Sequence, residues 1–323
     1  MTILLSGCLL ILGVFACTPN ELPAATSAGF VNPGVPATLP ESPTNADITA
    51  SPKASPTAVP TATRSPSATP SPTSSPTSSS TPLACWEKGG QVIESQLESE
   101  YLKKPLEYRV YLPPCYAEQP EQRYPVLYLI HGQTYRNDHW LNLGAADLVD
   151  RLSATGEMAP FLMVFPYDRD HYISPPENGF GEAIVADLIP AIDTEFRTLP
   201  ERADRAIGGI SRGGNWAVHI GLQHPEIFGA LGAHSTPIFS SDTNPEIAKW
   251  LEAIPLERLP RIFMDAGEND RWLQYTLIFE DLLNTENIPH EWHLYPGYHD
   301  DDYWQAHLEE YLRWYASPWR ESH

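Results

Sequence analysis

The chain has 323 residues, and its 20 lysines and arginines against 41 aspartates and glutamates leave a formal charge of −21. A field of that sign repels phosphate backbones and argues against nucleic-acid binding driven by counterion release. No apolar run reaches the roughly 20 residues that a membrane-spanning helix requires.

Residues 2–16 (TILLSGCLLILGVFA) are uncharged and apolar, and stop at Cys17. Their length fits the hydrophobic region of an export signal. Val14-Phe15-Ala16-Cys17 resembles a bacterial lipoprotein box, which would make Cys17 a lipidated mature N-terminus, the only membrane attachment expected. A plain cleaved signal with an incidental Cys17 is the alternative. The next stretch, 18–83, carries 14 of the 33 prolines, one aromatic residue (Phe30) and five charges. With so little apolar surface to bury it cannot offset its ordering entropy, so a disordered, semi-rigid Pro/Ser/Thr tether is predicted. Residues 84–323 hold 32 of the 34 aromatics and a charge of −20, and are of a size for one domain. Cys85 and Cys115 open this block with no CxxC and no neighbouring histidine. In an exported domain they read as a disulfide rather than a metal pair. Closing a loop of about 30 residues would stabilise by about 3–4 kcal/mol in the chain-entropy model.

Within the block, 106–112 alternates as a half-buried strand, while 126–130 and 161–165 are short continuous apolar runs expected of buried parallel strands. Residues 181–197 have helical spacing, 206–210 read as a strand entering a glycine-rich turn, and 216–224 as a helix stopped before Pro225. Further strands are predicted at 228–233, 261–264 and 291–294, and helices at 275–283 and 304–314. Alternating strands and helices imply an α/β domain with a mostly parallel sheet covered on both faces.

Chemistry concentrates where these strands end. Gly209-Ile210-Ser211-Arg212-Gly213 follows a strand and opens a helix, the context of a nucleophile elbow. A serine hydroxyl needs a histidine to take its proton and a carboxylate to orient that histidine. Two later strands run into loops bearing Asp270 and His299, so Ser211, Asp270 and His299 occur in the order serine, acid, histidine. Glu268 and Asp265 compete with Asp270 for the acid. The run His299-Asp300-Asp301-Asp302 reads as a solvated turn rather than a metal site, because successive loop residues cannot all face one ion. Tyr135, Trp140, Tyr167, Tyr172 and Tyr298 lie on the loops of this edge, either as a platform for a sugar or phenolic group or as packing.

The block from Glu107 to Trp314 resembles the esterase family of α/β-hydrolases that includes esterase D, feruloyl esterases, enterochelin esterases and the antigen 85 mycolyltransferases. The resemblance rests on Tyr124-Pro-Val-Leu-Tyr-Leu-Ile-His-Gly132 with Trp140, and on Asp187-Leu-Ile-Pro-Ala-Ile-Asp193 with Phe196-Arg197. It rests equally on Ile207-Gly-Gly-Ile-Ser-Arg-Gly-Gly214 with His224-Pro-Glu-Ile-Phe228, on Gly267 to Asp270, and on Gly297-Tyr-His299 with Trp304. It implies an α/β-hydrolase fold and an oxyanion hole made by the amides of Arg212 and Gln133, next to His131-Gly132; His131 itself is expected to order that loop rather than act as a base. Position 212 is usually apolar in that family. Here its arginine side chain is expected either to meet an anionic substrate or a nearby acid such as Glu268, or to form a surface salt bridge.

The expectation is an exported serine carboxylic-ester hydrolase, using an acyl-enzyme and no metal or organic cofactor, on small or polysaccharide-linked esters. An acyltransferase of the antigen 85 type and a non-catalytic cell-surface binding module are the rival readings.

Overall fold

A computed structural model describes residues 85–320 apart from Pro176. The expected signal, Cys17 and the tether at 18–83 lie outside the described residues. Eight strands form the fold: β1 (Gln91–Leu97), β2 (Leu106–Leu112), β3 (Val126–Ile130), β4 (Leu162–Pro166), β5 (Arg205–Ile210), β6 (Ala230–His234), β7 (Arg261–Gly267) and β8 (Glu291–Tyr295). They make one sheet in the order β1-β2-β4-β3-β5-β6-β7-β8. β2 pairs antiparallel with β1 and β4, and every pairing from β4 across to β8 is parallel.

Helices α1 (His139–Asn142), α2 (Ala145–Ala154), α3 (Phe180–Ala183), α4 (Ile189–Glu195), α5 (Arg212–Gln223), α6 (Asn244–Ala253), α7 (Leu273–Thr285) and α8 (Asp301–Ala316) cover the sheet. The two-residue period of the strands sorts the core. Leu127, Leu129, Ala206, Ala230 and Phe263 point to one face, where α2 and α8 pack over them. Val126, Tyr128, Ile130, Ile207, Leu231 and Ile262 point to the other, under α3 to α7. Such fully buried strands show no polar alternation, which is why 126–130 reads as one apolar run.

The predicted helix at 181–197 is divided. α3 gives way to a π-helical turn at Ile184–Leu188 and then to α4. Pro190 has no N–H to donate back and its ring crowds the preceding turn, so the winding changes there. α5 begins at Arg212, four residues before the predicted 216, because Gly213 and Gly214 weaken the helical pattern without interrupting the helix. β1 is an edge strand with no buried residue, and its polar sequence QVIESQL carried no strand signal. Cys85 and Cys115 are disulfide-bonded, as expected, across a separation of 30 residues.

The chain leaves β3 toward β4 and returns past it to β5. The carboxyl ends of these strands therefore border the crevice where open α/β sheets hold ligands.

Candidate active site

Ser211 sits between β5 and α5 with φ 55° and ψ −118°, a conformation that non-glycine residues rarely adopt. The turn closes only because its neighbours lack side chains. A Cβ on Gly209 would stand 2.1 Å from the Gly213 carbonyl carbon, and one on Gly213 would stand 2.1 Å from the Ile130 oxygen. The Ser211 N–H donates to the His234 carbonyl at the end of β6 (2.7 Å), which holds the strained turn against the sheet.

The acid and histidine loops follow β7 and β8 and are bonded to each other. Glu268 N–H donates to Tyr295 O (2.7 Å) and Asn269 N–H to Gly297 O (2.9 Å). Gly297, at φ 150°, lies so close to Tyr303 that a Cβ would stand 2.4 Å from its ring. Together the loops bring His299 Nε2 to 2.9 Å from Ser211 Oγ and His299 Nδ1 to 2.8 Å from Asp270 Oδ2. Asp270 is buried, and its other oxygen accepts the Trp272 N–H at 2.7 Å. With Nδ1 protonated toward this carboxylate, Nε2 is left to accept the serine proton. Trp304 stands edge-on to the His299 ring, 5.1 Å between centroids.

The structure separates the competing acids. Glu268 is exposed. Asp265 is fully buried and accepts from His234 Nδ1 (2.7 Å), Tyr303 OH (2.6 Å) and Tyr311 OH (2.5 Å), a hub beneath the site rather than a part of it. Asp300 caps α8 by accepting the Tyr303 N–H, and Asp301 pairs with His139 Nε2 at 3.0 Å.

Arg212 meets an acid, as one reading expected, but the acid is Asp168 and not Glu268, and the pair is no surface bridge: Arg212 is 7% exposed, and its Nε donates to Asp168 Oδ2 at 2.7 Å. As first residue of α5 it has an amide without an intrahelical acceptor, as an oxyanion donor requires. Gln133 borders the same cavity. His131 ties the loop after β3 as expected. Its Nε2 accepts the Asp168 N–H (3.0 Å), so Nδ1 carries the proton and donates to Gly132 O (2.7 Å). Burial pushes the His131 pKa down to about 4, and the ring is neutral at physiological pH.

A cavity of about 320 Å³ opens beside Ser211, with Arg212, Asn215, Ile238, Phe239, Trp272 and Tyr275 among its walls. A groove of about 430 Å³ at the β1–β2 edge, bordered by Glu94, Glu107, Arg109 and Arg136, contains no histidine. Of the five loop aromatics singled out by sequence, Trp140 is core, Tyr135 stacks on His139 at 3.6 Å, and Tyr167 lies under Arg136; Tyr172 and Tyr298 are exposed. The aromatic walls are instead Phe239, Trp272 and Tyr275. Their one available sequence signal is position just beyond the ends of β6 and β7.

The Esterase family, described as Putative esterase, matches residues 99–315. The chain is 32% identical over 174 residues to an endo-1,4-beta-xylanase/feruloyl esterase of Xylanibacter ruminicola, covering 50% of this chain and 24% of that protein. It is 27% identical over 231 residues to an esterase of Mycobacterium tuberculosis, covering 54% and 48%. It therefore spans less than half the length of these two relatives. A solved ferulic acid esterase matches with TM-score 0.64 at 26% identity, over 71% of this chain and 99% of that one.

Proposed function

Because this chain belongs to the Esterase family and has the α/β-hydrolase fold, we propose that it is a serine carboxylic-ester hydrolase with Ser211 as nucleophile, His299 as general base and Asp270 as the acid that orients it. The observation that carries the reading is the continuous hydrogen-bonded chain from Ser211 Oγ through His299 to Asp270, at 2.9 and 2.8 Å.

Ser211 Oγ bonds to the ester carbonyl carbon as its proton passes to His299 Nε2, and the carbonyl π electrons move onto oxygen. The N–H groups of Arg212 and Gln133 face that oxyanion, each donor stabilising it by about 3–4 kcal/mol. Collapse breaks the bond to the alcohol oxygen, which takes the proton from His299. A water then repeats the sequence on the acyl-enzyme, releasing the acid and restoring Ser211.

The cavity beside Ser211 takes the acyl group. Its walls are mainly apolar and aromatic, and the nearest cation, Arg212, is already paired with Asp168, so a flat, uncharged acyl group suits it. The feruloyl and ferulic acid esterases among the relatives agree with a hydroxycinnamoyl ester. Incubation with a fluorophosphonate probe is expected to leave one adduct, on Ser211. In a panel of short-chain p-nitrophenyl esters, methyl ferulate and acetylated or feruloylated polysaccharide, the feruloyl esters should have the highest kcat/KM. Absence of the adduct would sink the hydrolase reading, and preference for acetyl esters would sink the acyl assignment. A transfer product dominating over free acid when a sugar acceptor is added would make the protein an acyltransferase.

The reading also includes export and a lipid anchor on Cys17, supported by the apolar stretch before it and by a disulfide of the kind that persists in oxidising compartments. In a bacterial host the protein should sediment with membranes, and Cys17→Ala should release it. Equal partitioning of the two forms contradicts the anchor.

A further inference from the structure

The residue that departs from its family's pattern, Arg212, leads to a network with no evident place in the chemistry. Its partner Asp168 lies just after β4, 44 residues earlier in the chain, and is 1% exposed. Asp168 Oδ2 accepts from Arg212 Nε (2.7 Å) and from Trp216 Nε1 (2.9 Å), while Oδ1 accepts from Asn178 Nδ2 (3.3 Å). Both donors to Oδ2 belong to the first two turns of α5. The backbone of Asp168 faces the other way, its N–H donating to His131 Nε2 at 3.0 Å. One residue thus touches the helix behind the nucleophile and the loop after β3.

The segment that follows Asp168 is bonded at the same two places. Arg212 Nη2 donates to the Ile173 carbonyl, and Gln133 Nε2 donates to the His171 carbonyl at 3.2 Å. Asn178 draws the segment together, donating to Asp170 O (3.0 Å) and Ile173 O (2.9 Å). Arg212 and Gln133 are the residues whose amides are assigned to the oxyanion, and both are held to this one strap by their side chains.

A buried ion pair is a costly way to fill space, since an apolar pair of similar volume is often as stable or more so. What the pair adds is direction. The guanidinium fork fixes Arg212 against Asp168 and Ile173 together, and Asp168 in turn fixes His131. The oxyanion donors must stand within a few tenths of an ångström of their place, and about 1 Å of misplacement can cost roughly a hundredfold in rate.

We propose that Asp168 and Arg212 are positioning residues that couple the two halves of the oxyanion hole, aligning the Arg212 amide with the Gln133 amide through His131 and the segment from Asp168 to Ile173. The proposal rests on the hydrolase reading above. Arg212 is therefore not a receptor for an anionic substrate; its charge is spent on Asp168.

The test uses the whole chain with Asp168→Asn, Arg212→Met and the double variant. Three quantities are read: kcat and KM on a p-nitrophenyl ester, the rate of phosphonylation by a fluorophosphonate, and the inhibition constant of the product acid. A phosphonyl oxygen occupies the oxyanion hole, whereas the product acid reports ground-state binding. Each single variant is expected to lower kcat and phosphonylation together by about 10–100-fold. For Asp168→Asn, which leaves the cavity walls in place, KM and the acid's inhibition constant should stay within about threefold, and the double variant should be no slower than the slower single one. Arg212→Lys, which keeps the charge without the fork, should recover only part of the loss. Should Arg212→Met fail to fold, Asp168→Asn carries the test alone, because it preserves shape. Unchanged kcat, a change confined to KM, or additive losses would each overturn the proposal while leaving the hydrolase reading standing. A wild-type protein that neither labels at Ser211 nor turns over esters would remove both.

Discussion

Ser211→Ala is expected to lower kcat for ester hydrolysis by about 10⁶-fold, roughly 8 kcal/mol of transition-state stabilisation. The loss is large because the three residues act as one unit. Without Oγ, His299 has no hydroxyl to deprotonate and no acyl-enzyme can form. The effect should appear in kcat with little change in KM, since the cavity walls at Phe239, Trp272 and Tyr275 are untouched. Alanine at 211 inherits the same positive φ, so the elbow carries no new strain, and thermal unfolding should match the wild type. Residual turnover within tenfold of wild type, measured with a p-nitrophenyl ester on protein shown free of contaminating esterase, would mean that another group attacks the ester.

Asp270→Asn is expected to cost about 10⁴-fold in kcat. Local geometry says why an isosteric change does so much. Asp270 Oδ1 accepts the Trp272 N–H at 2.7 Å while Oδ2 faces His299 Nδ1 at 2.8 Å. The asparagine oxygen is claimed by that amide, so its NH₂ must face Nδ1. The imidazole is then driven to carry its proton on Nε2, where it faces Ser211 Oγ and cannot act as a base. Glu268→Gln, by contrast, changes an exposed side chain and should leave kcat within about threefold. Comparing the two variants in parallel checks the assignment of the acid. A deep loss in Glu268→Gln with near-normal Asp270→Asn would reverse it.

Much of the site was legible because α/β sheets bring strand ends together. Ser211, Asp270 and His299 each follow a strand, and parallel strands deliver their carboxyl ends to one edge whatever the sequence distance between them. The glycines around Ser211 were legible for a local reason, the collision that any side chain there would cause. What escaped is non-local. Nothing at position 168 distinguishes Asp168 from the other acids of a strongly acidic chain, and its pairing with Arg212 depends on how far the loop after β4 folds back over α5. Position 212 could be flagged as unusual but not assigned a partner. Trp272 and Tyr275 were missed because the entry into α7 brings them to the cavity in a way that residue type alone does not express. β1 has only Ile93 and Leu97 half-buried on its inner face, too short an apolar pattern to read as a strand, and its order comes from pairing with β2 at the sheet edge.

The Cys85–Cys115 bond has a mechanical consequence. It closes a loop that contains all of β1 and β2, the antiparallel pair at one margin of the sheet. A pull on the chain ahead of residue 85 crosses the sulfur bridge and continues from Cys115, so the backbone between them carries no tension. Without the bridge the same pull would load β1 first and peel it rung by rung from Gln91 toward Leu97. The bond thus passes any load entering ahead of residue 85 directly to Cys115, and keeps it from the β1 margin of the sheet.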